Sequence, residues 1–124
     1  MDVLSQGPCS GLTILIVEDE PLILLDVAAT FEKEGATVLP THNLKQAMVL
    51  ADSDGLSGAV IDHALIDGES TELRAKLVQR GIPFILHSGL ERPTEGMERG
   101  IHMTKPSPPE TLVSALLTLF HCQQ

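Results

Sequence analysis

Short apolar runs alternate with amphipathic segments along the chain. Fully apolar stretches such as 14–17 and 59–61 are typical of strands that are buried on both faces of a parallel sheet. Between such runs, apolar residues recur at helical spacing, and capping motifs at 43–46 and 107–110 mark two helix starts. The pattern predicts strands at about 12–17, 36–39, 58–62, 83–86 and 101–104.

Regular alternation of strands and helices predicts an α/β fold with parallel strands joined by right-handed crossovers. The fourth connection, at about 90–100, contains Pro93, Gly96 and several charges, which predicts a short or degraded helix. Residues 1–11 lack periodicity and are predicted to form a flexible leader. Residues 12–124 are predicted to form a single domain.

Composition narrows the possible partners. The formal net charge of -9 and the absence of Trp and Tyr argue against a nucleic-acid partner, which needs basic patches and stacking platforms. No apolar run suggests a membrane span, and the N-terminus lacks signal-peptide features, so we expect a cytoplasmic protein. Cys9 and Cys122 favour two unpaired thiols, although their spacing leaves a disulfide open.

Polar side chains follow four of the predicted strands. They are Glu18 and Asp19 after the first strand, Asp62 after the third, Ser88 after the fourth and Lys105 after the fifth. If the strand order is 2-1-3-4-5, the first and third strands are neighbours at the switch point, where ligands bind in open α/β sheets. Glu18, Asp19 and Asp62 would then converge.

This set of side chains suits phosphoryl transfer. Three crowded carboxylates repel each other and need a cation, and oxygen-only ligands favour Mg2+. Ser88 and Lys105 would face the same phosphoryl group with a hydroxyl and a positive charge. With a carboxylate nucleophile at Asp62, the reaction would be phosphoryl transfer onto an aspartate.

Five motifs in order resemble the receiver domain of two-component response regulators, over about residues 12–121. They are the acidic strand end at 14–20, the strand end at 59–62, Asp67-Gly68, the segment 83–88 and Lys105-Pro106. The resemblance implies a doubly wound, five-stranded parallel sheet of flavodoxin-like order 2-1-3-4-5.

The resemblance also implies a role for each site residue. Asp62 is the implied phosphoacceptor, Lys105 its basic partner and Ser88 the switch hydroxyl. The implied Mg2+ ligands are Glu18, Asp19, Asp62 and the backbone carbonyl of Ala64. The Lys105–Pro106 peptide is usually cis in this family.

The sequence departs from the family between Leu90 and His102. The segment between Ser88 and Lys105 is shorter than usual, and His102 occupies the position of the aromatic switch residue, which makes it a switch candidate. Ser107 replaces an aromatic residue that commonly follows the Lys-Pro pair. Residues 87–90 partly resemble a receiver subgroup with a reduced fourth helix. A standard output surface is therefore not expected.

The implied function is that of a phosphoacceptor module in a two-component system or phosphorelay. A histidine kinase or histidine phosphotransfer protein would donate the phosphoryl group to Asp62 with Mg2+, and the signal would pass through a changed protein-binding surface. Catalysis would be limited to autophosphorylation and autodephosphorylation, and both a monomer and a homodimer are compatible with the sequence.

One other class of protein is compatible with the sequence, and two more are disfavoured by it. The main alternative is a non-phosphorylated pseudo-receiver that acts as a constitutive protein-interaction module. A haloacid-dehalogenase-type phosphatase is disfavoured because Ala64 stands where a second acid is needed, and a flavodoxin-type flavin carrier because no phosphate-binding loop follows the first strand. The histidines His63, His87 and His102 lack the spacing of a transition-metal site.

Overall fold

The computed structural model describes residues 7–62, 64–65, 68–89, 100–105 and 107–122. Seven strands and four helices occur in these ranges. The strands are β1 (Thr13–Val17), β2 (Thr37–Thr41), β3 (Gly58–Ile61), β4 (Ala64–Leu65), β5 (Gly68–Glu69), β6 (Phe84–Ser88) and β7 (Gly100–Thr104). The helices are α1 (Pro21–Lys33), α2 (Leu44–Leu50), α3 (Thr71–Gln79) and α4 (Pro109–Cys122).

Five parallel strands form the main sheet in the order β2-β1-β3-β6-β7. Counted as the five predicted strands, this is the order 2-1-3-4-5, so the predicted fold class is confirmed. The short or degraded helix predicted at about 90–100 lies outside the described residues, apart from Gly100, which begins β7.

The core has two layers, one on each face of the sheet, because successive strand residues point to opposite faces. Leu15, Ile61 and Leu86 pack on the face covered by α2 and α3. Ile14 and Ile85 pack on the opposite face, which is covered by α1 and α4. The layers are almost entirely aliphatic, so the domain depends on close packing of branched side chains rather than on aromatic clusters.

Residues typical of helix starts and ends lie at most of the helix boundaries. Pro21 begins α1, and Gly35 follows its end with a φ of 101°, a backbone conformation that favours glycine. Asn43 caps α2, because its side-chain oxygen accepts a hydrogen bond from the Gln46 N–H at 2.8 Å. Ser107 differs from the predicted cap: its hydroxyl donates to the Thr104 carbonyl at 2.7 Å, and α4 begins at Pro109.

Two strand predictions need correction. The second strand was predicted at about 36–39, but β2 continues through Pro40 to Thr41. An edge strand tolerates proline because the missing N–H can face away from the sheet, and β2 lies at the edge. The short antiparallel pair of β4 and β5, which follows Asp62, was not predicted.

Part of the predicted leader packs against the domain. Cys9 is buried among the residues of the α1 and α4 layer, and its N–H donates to the Glu34 carbonyl at 2.8 Å. Cys9 is a free thiol. Residues 7–11 thus extend the core beyond the first strand, whereas residues 1–6 lie outside the described part of the chain.

None of the helices within the described ranges is long and apolar enough to span a membrane.

Candidate functional site

The carboxyl ends of β1 and β3 place two acidic side chains next to each other. Val17 and Ile61 are paired in the parallel register, so the following residues, Glu18 and Asp62, leave the sheet side by side. The Asp62 N–H donates to the Val17 carbonyl at 3.1 Å and thereby continues the pairing for one more step. Both residues are only 4 % exposed. Two carboxylates thus lie in one buried pocket at the switch point.

Lys105 lies between these two carboxylates. Its N–H donates to the Ser88 carbonyl at 2.9 Å, which continues the pairing of β6 and β7 past the strand ends. Its ammonium nitrogen lies 2.9 Å from Glu18 Oε1 and 2.7 Å from Asp62 Oδ1. Charge-assisted contacts of this length compensate for part of the cost of burying two acids.

Asp19 joins the cluster from an exposed position. One ligand oxygen from each of Glu18, Asp19 and Asp62 lies within 4.8 Å of the others. Glu18 is also oriented by the Glu20 N–H, which donates to Glu18 Oε2 at 3.1 Å. A small divalent ion with oxygen ligands fits this donor set, because Mg2+ binds through a few carboxylates and keeps several waters.

The pKa values of the two buried carboxyl groups are shifted in opposite directions. Burial, and next the hydrogen bond with Glu18, raise the pKa of Asp62 to about 7, although Lys105 acts against them. Burial also acts to raise the pKa of Glu18, but hydrogen bonds with Asp62 and Lys105 outweigh it and hold that pKa below its ordinary value. As the pH falls, Asp62 therefore takes up a proton before Glu18, because its anion is the less well stabilised of the pair.

The Lys105 ammonium is held in its charged form. Burial acts to lower the pKa of Lys105, but hydrogen bonds with Asp62 and Glu18 outweigh it, so the pKa lies above its ordinary value. A permanent positive charge is consequently part of the site.

The side chain of Ser88, at the end of β6, meets that of His102, in the middle of β7. The Ser88 hydroxyl lies 3.5 Å from His102 Nε2, a long hydrogen bond in which either group can donate, depending on the imidazole tautomer. Ser88 is buried and His102 half-buried. This contact links the site to the edge strand of the sheet.

His87, whose spacing does not predict a metal site, is a buried polar residue. Its side chain is 5 % exposed, and within the described residues its Nε2 has no hydrogen-bond partner. Burial, and next the Lys105 charge, lower the pKa of His87, so its imidazole is neutral near pH 7. The apolar run at 84–86 could have indicated its burial, since His87 continues a strand that is buried on both faces.

The remaining predicted positions differ in what the structure describes. Ala64 begins β4, two residues after Asp62, and its part in metal binding stays a prediction. His63, Asp67 and Pro106 lie outside the described residues.

The fold and the site together define a class: a doubly wound α/β domain with an acidic cluster and a lysine at the carboxyl edge of its sheet. The fold is that of response regulator receiver domains, as comparison with solved structures shows. A response regulator receiver protein from Sinorhizobium medicae is 21 % identical with a TM-score of 0.84, and the match covers 92 % of this chain and 98 % of that one.

Two further receiver structures are similar. A response regulator protein from Burkholderia pseudomallei, solved with a phosphorylated aspartic acid and a calcium ion, is 18 % identical with a TM-score of 0.75, covering 90 % of this chain and 72 % of that one. The Thermotoga maritima response regulator TrrA, in complex with Mg2+ and BeF, is 18 % identical with a TM-score of 0.76, covering 87 % and 98 %. No family model and no curated protein matches the sequence.

Proposed function

We propose that this protein is a cytoplasmic phosphoacceptor module of a two-component system or phosphorelay. A histidine kinase or a histidine phosphotransfer protein donates the phosphoryl group to Asp62. One observation carries the proposal: Asp62 lies buried against Glu18 and Lys105, with Asp19 in reach of the same point. Purely structural acids at strand ends have no need of such a cluster.

Glu18, Asp19, Asp62 and the Ala64 carbonyl are the groups that would hold Mg2+. The fit rests on the oxygen-only donor set and on the mutual distance of at most 4.8 Å between the carboxylate oxygens. When bound, the ion supplies neutralisation of the negative charge on the transferring phosphoryl oxygens. The Mg2+–BeF complex of the similar Thermotoga protein supports this choice of metal.

Three residues of the site have different roles in the phosphoryl transfer. An oxygen of the Asp62 carboxylate attacks phosphorus and forms the new O–P bond as the N–P bond to the donor histidine breaks. Lys105, which already contacts Asp62, turns its ammonium to a phosphoryl oxygen. Ser88 donates its hydroxyl to the same group. Burial of Asp62 excludes water from the nucleophile.

His102 can transmit phosphorylation of Asp62 to a protein-binding surface. The phosphoryl group adds a charge of about -1.5 to -2 at neutral pH. When Ser88 donates its hydroxyl to this group, it can no longer donate to His102, so their contact persists only if His102 Nε2 is the donor. His102 lies on the edge strand β7, so its rearrangement alters a surface that a protein partner can bind.

Phosphorylation by a small phosphodonor tests the proposal directly. The protein is incubated with acetyl phosphate and Mg2+ and analysed by intact mass. We expect a gain of one phosphoryl group, stable in acid and labile in base, that is absent from Asp62→Asn. As a matched control, Asp54→Asn, an exposed loop substitution, should be modified like the wild type. A gain that survives Asp62→Asn, or no gain in the wild type, would exclude the proposal.

Magnesium binding separates this proposal from the pseudo-receiver alternative. A phosphoacceptor should bind Mg2+ at its acidic cluster, and Asp19→Asn should weaken that binding because it removes one ligand. A pseudo-receiver that acts only as an interaction module need not bind the ion at all.

A further inference from the structure

A groove of about 590 Å3 lies along α1, on the side of the helix that faces the edge strand β2. Residues of α1 line one side of the groove, and residues at the end of β2 line the other. One of them, Leu25, is 67 % exposed. Contiguous exposed apolar surface is typical of interaction sites. The apolar lining residues are Pro21, Leu24, Leu25, Ala28 and Pro40.

The groove is too open to enclose a small molecule. Pro21, Leu25 and Pro40 are all exposed, although they line it. Binding sites for small molecules bury most of the ligand's surface, about 70–90 %. A small ligand in this groove would leave one side in water, so a longer partner that lies along the groove fits better.

The backbone of β2 disfavours a partner that adds to the sheet as a strand. The Thr37 N–H donates to a β1-side carbonyl, and the Thr41 carbonyl accepts from a β1-side N–H. Backbone groups of successive strand residues point to alternate sides, so those of Pro40 face the free edge. Proline has no N–H, and an added strand would lack a hydrogen bond there. A helix satisfies its backbone internally and needs no such edge.

Acidic side chains lie at both ends of the groove. Asp19 precedes α1 and Glu32 lies in its last turn, and both are exposed. The described lining residues include no lysine or arginine. Between Pro21 and Glu32, α1 rises by about 16 Å. A partner helix along α1 covers this distance in about 11 residues, or three turns, so two cations about 11 positions apart lie on one face and reach both acids.

The charge of the chain disfavours other occupants. A second copy carries the same formal net charge of -9 and the same acidic groove, so the two copies repel each other. An anionic membrane surface is repelled for the same reason. A basic helix is attracted to both ends of the groove.

We propose that this groove is the docking site for a basic amphipathic helix of another protein. The apolar face of the helix packs on Leu24, Leu25 and Pro40, and two of its cationic side chains pair with Asp19 and Glu32. The docking requires no phosphoryl chemistry, so it goes beyond the proposed function.

A display library of helical peptides tests the site. The peptides have an alanine-rich frame of about 18 residues and one randomised face, and they are selected on the full chain with EDTA present. We expect the selected peptides to carry leucine-like residues on this face, together with two Lys or Arg residues about 11 positions apart. A selection that yields no binder, or binders without this pair of cations, would overturn the proposal.

Variants of the chain locate the docking groups for a selected peptide. Leu25→Asn should weaken binding roughly 5–20-fold because it removes an exposed apolar contact. Glu32→Gln should weaken it roughly 2–5-fold and reduce its salt dependence. Leu22→Asn and Asp26→Asn, on another side of α1, are the matched controls and should stay within about twofold of the wild type.

NMR should place the peptide on the same surface. We expect the amide signals of residues 21–32 and 38–42 to shift most strongly. Signal shifts confined to other elements, or a loss of affinity in Leu22→Asn as large as that in Leu25→Asn, would contradict the proposal. Self-association of the chain that Leu25→Asn abolishes would assign the groove to a second copy instead and would likewise overturn it.

The Asp62→Asn variant separates the two proposals. We expect it to bind the selected peptide with the wild-type affinity, whether or not the wild-type protein accepts a phosphoryl group. Loss of peptide binding in Asp62→Asn would contradict docking centred on Leu25.

Discussion

Asp62 is an unusual aspartate because the fold disfavours its charged form. In an unfolded chain its pKa is about 3.9, whereas burial and the hydrogen bond with Glu18 raise the pKa in the folded protein to about 7. The folded state therefore binds more protons than the unfolded state between these values. The contribution of Asp62 to stability is fully present below pH 4 and is lost as the pH rises through 7.

Asp62→Asn should consequently stabilise the metal-free protein at high pH. Asparagine remains neutral, so the variant does not lose stability as the pH rises. We expect a free energy of unfolding about 1–2 kcal/mol above that of the wild type at pH 8 and a much smaller difference at pH 5, measured by urea denaturation with EDTA present. The free energy of unfolding of Asp54→Asn, an exposed substitution, should stay within about 0.5 kcal/mol of the wild-type value at both pH 5 and pH 8. A difference of equal size at pH 5 and 8 would contradict the raised pKa of Asp62.

The sequence could predict the positions of individual site residues only where the end of a strand determines them. The proximity of Glu18, Asp19 and Asp62 follows from two apolar strands whose carboxyl ends lie side by side. The double ion pair of Lys105 and the unpartnered Nε2 of His87 depend on side-chain orientation and burial. Those are properties of the packed domain, which a local pattern does not contain.

At the scale of elements, β7 approaches β6 closely because its first residue is glycine. An added Cβ at Gly100 would lie 2.5–2.8 Å from ring atoms of Phe84, which is fully buried. The ring cannot move outward because the sheet and its helices enclose it. Gly100 thus determines how closely the edge strand that carries His102 can pair with β6.

Gly100→Ala should therefore destabilise the protein by about 1–3 kcal/mol, the usual cost of overpacking a core. Urea denaturation measures the effect. Gly89→Ala is the matched control, since an added Cβ there meets no atom within 4 Å. Gly100→Ala should lower the free energy of unfolding by less when Phe84 is replaced by Leu, because the ring that its Cβ meets is then absent. If both alanine variants are equally stable, the close contact with Phe84 is not real.

Element types were easier to predict than element limits. Apolar runs predicted the five strands of the main sheet, and capping motifs predicted helix starts close to those of α2 and α4. Pro40 misled the prediction because a proline normally ends a strand, and only the position of β2 at the sheet edge makes it tolerable. The pair of β4 and β5 has only two residues in each strand, which is too short for an alternating pattern to be visible.

At the scale of the whole molecule, Cys9 connects the N-terminal segment to the core. It packs in the same layer as Phe31 and Leu116, and its backbone is tied to Glu34 near the end of α1. Burial, and next the charge of Glu34, raise the pKa of the Cys9 thiol. Little thiolate is therefore present at neutral pH, and reagents reach the thiol only when the segment opens.

Thiol labelling should report this packing. In a Cys122→Ser background, Cys9 should react with a disulfide reagent at least about 100-fold more slowly than an exposed thiol. The exposed reference is Ser10→Cys in a Cys9→Ala, Cys122→Ser background, one residue along the same segment. Urea should bring the two rates together. Similar rates without urea would show that residues 7–11 do not pack on the domain.

The ion pairs of Lys105 have a consequence for which ions the pocket admits. An ion that enters between Glu18 and Asp62 competes with an ammonium that is covalently attached to the same chain. A monovalent ion brings no more charge than that tethered competitor and must come from dilute solution. A divalent ion brings twice the charge. We therefore expect Lys105 to disfavour monovalent ions such as Na+ and K+ at this pocket more strongly than divalent ions.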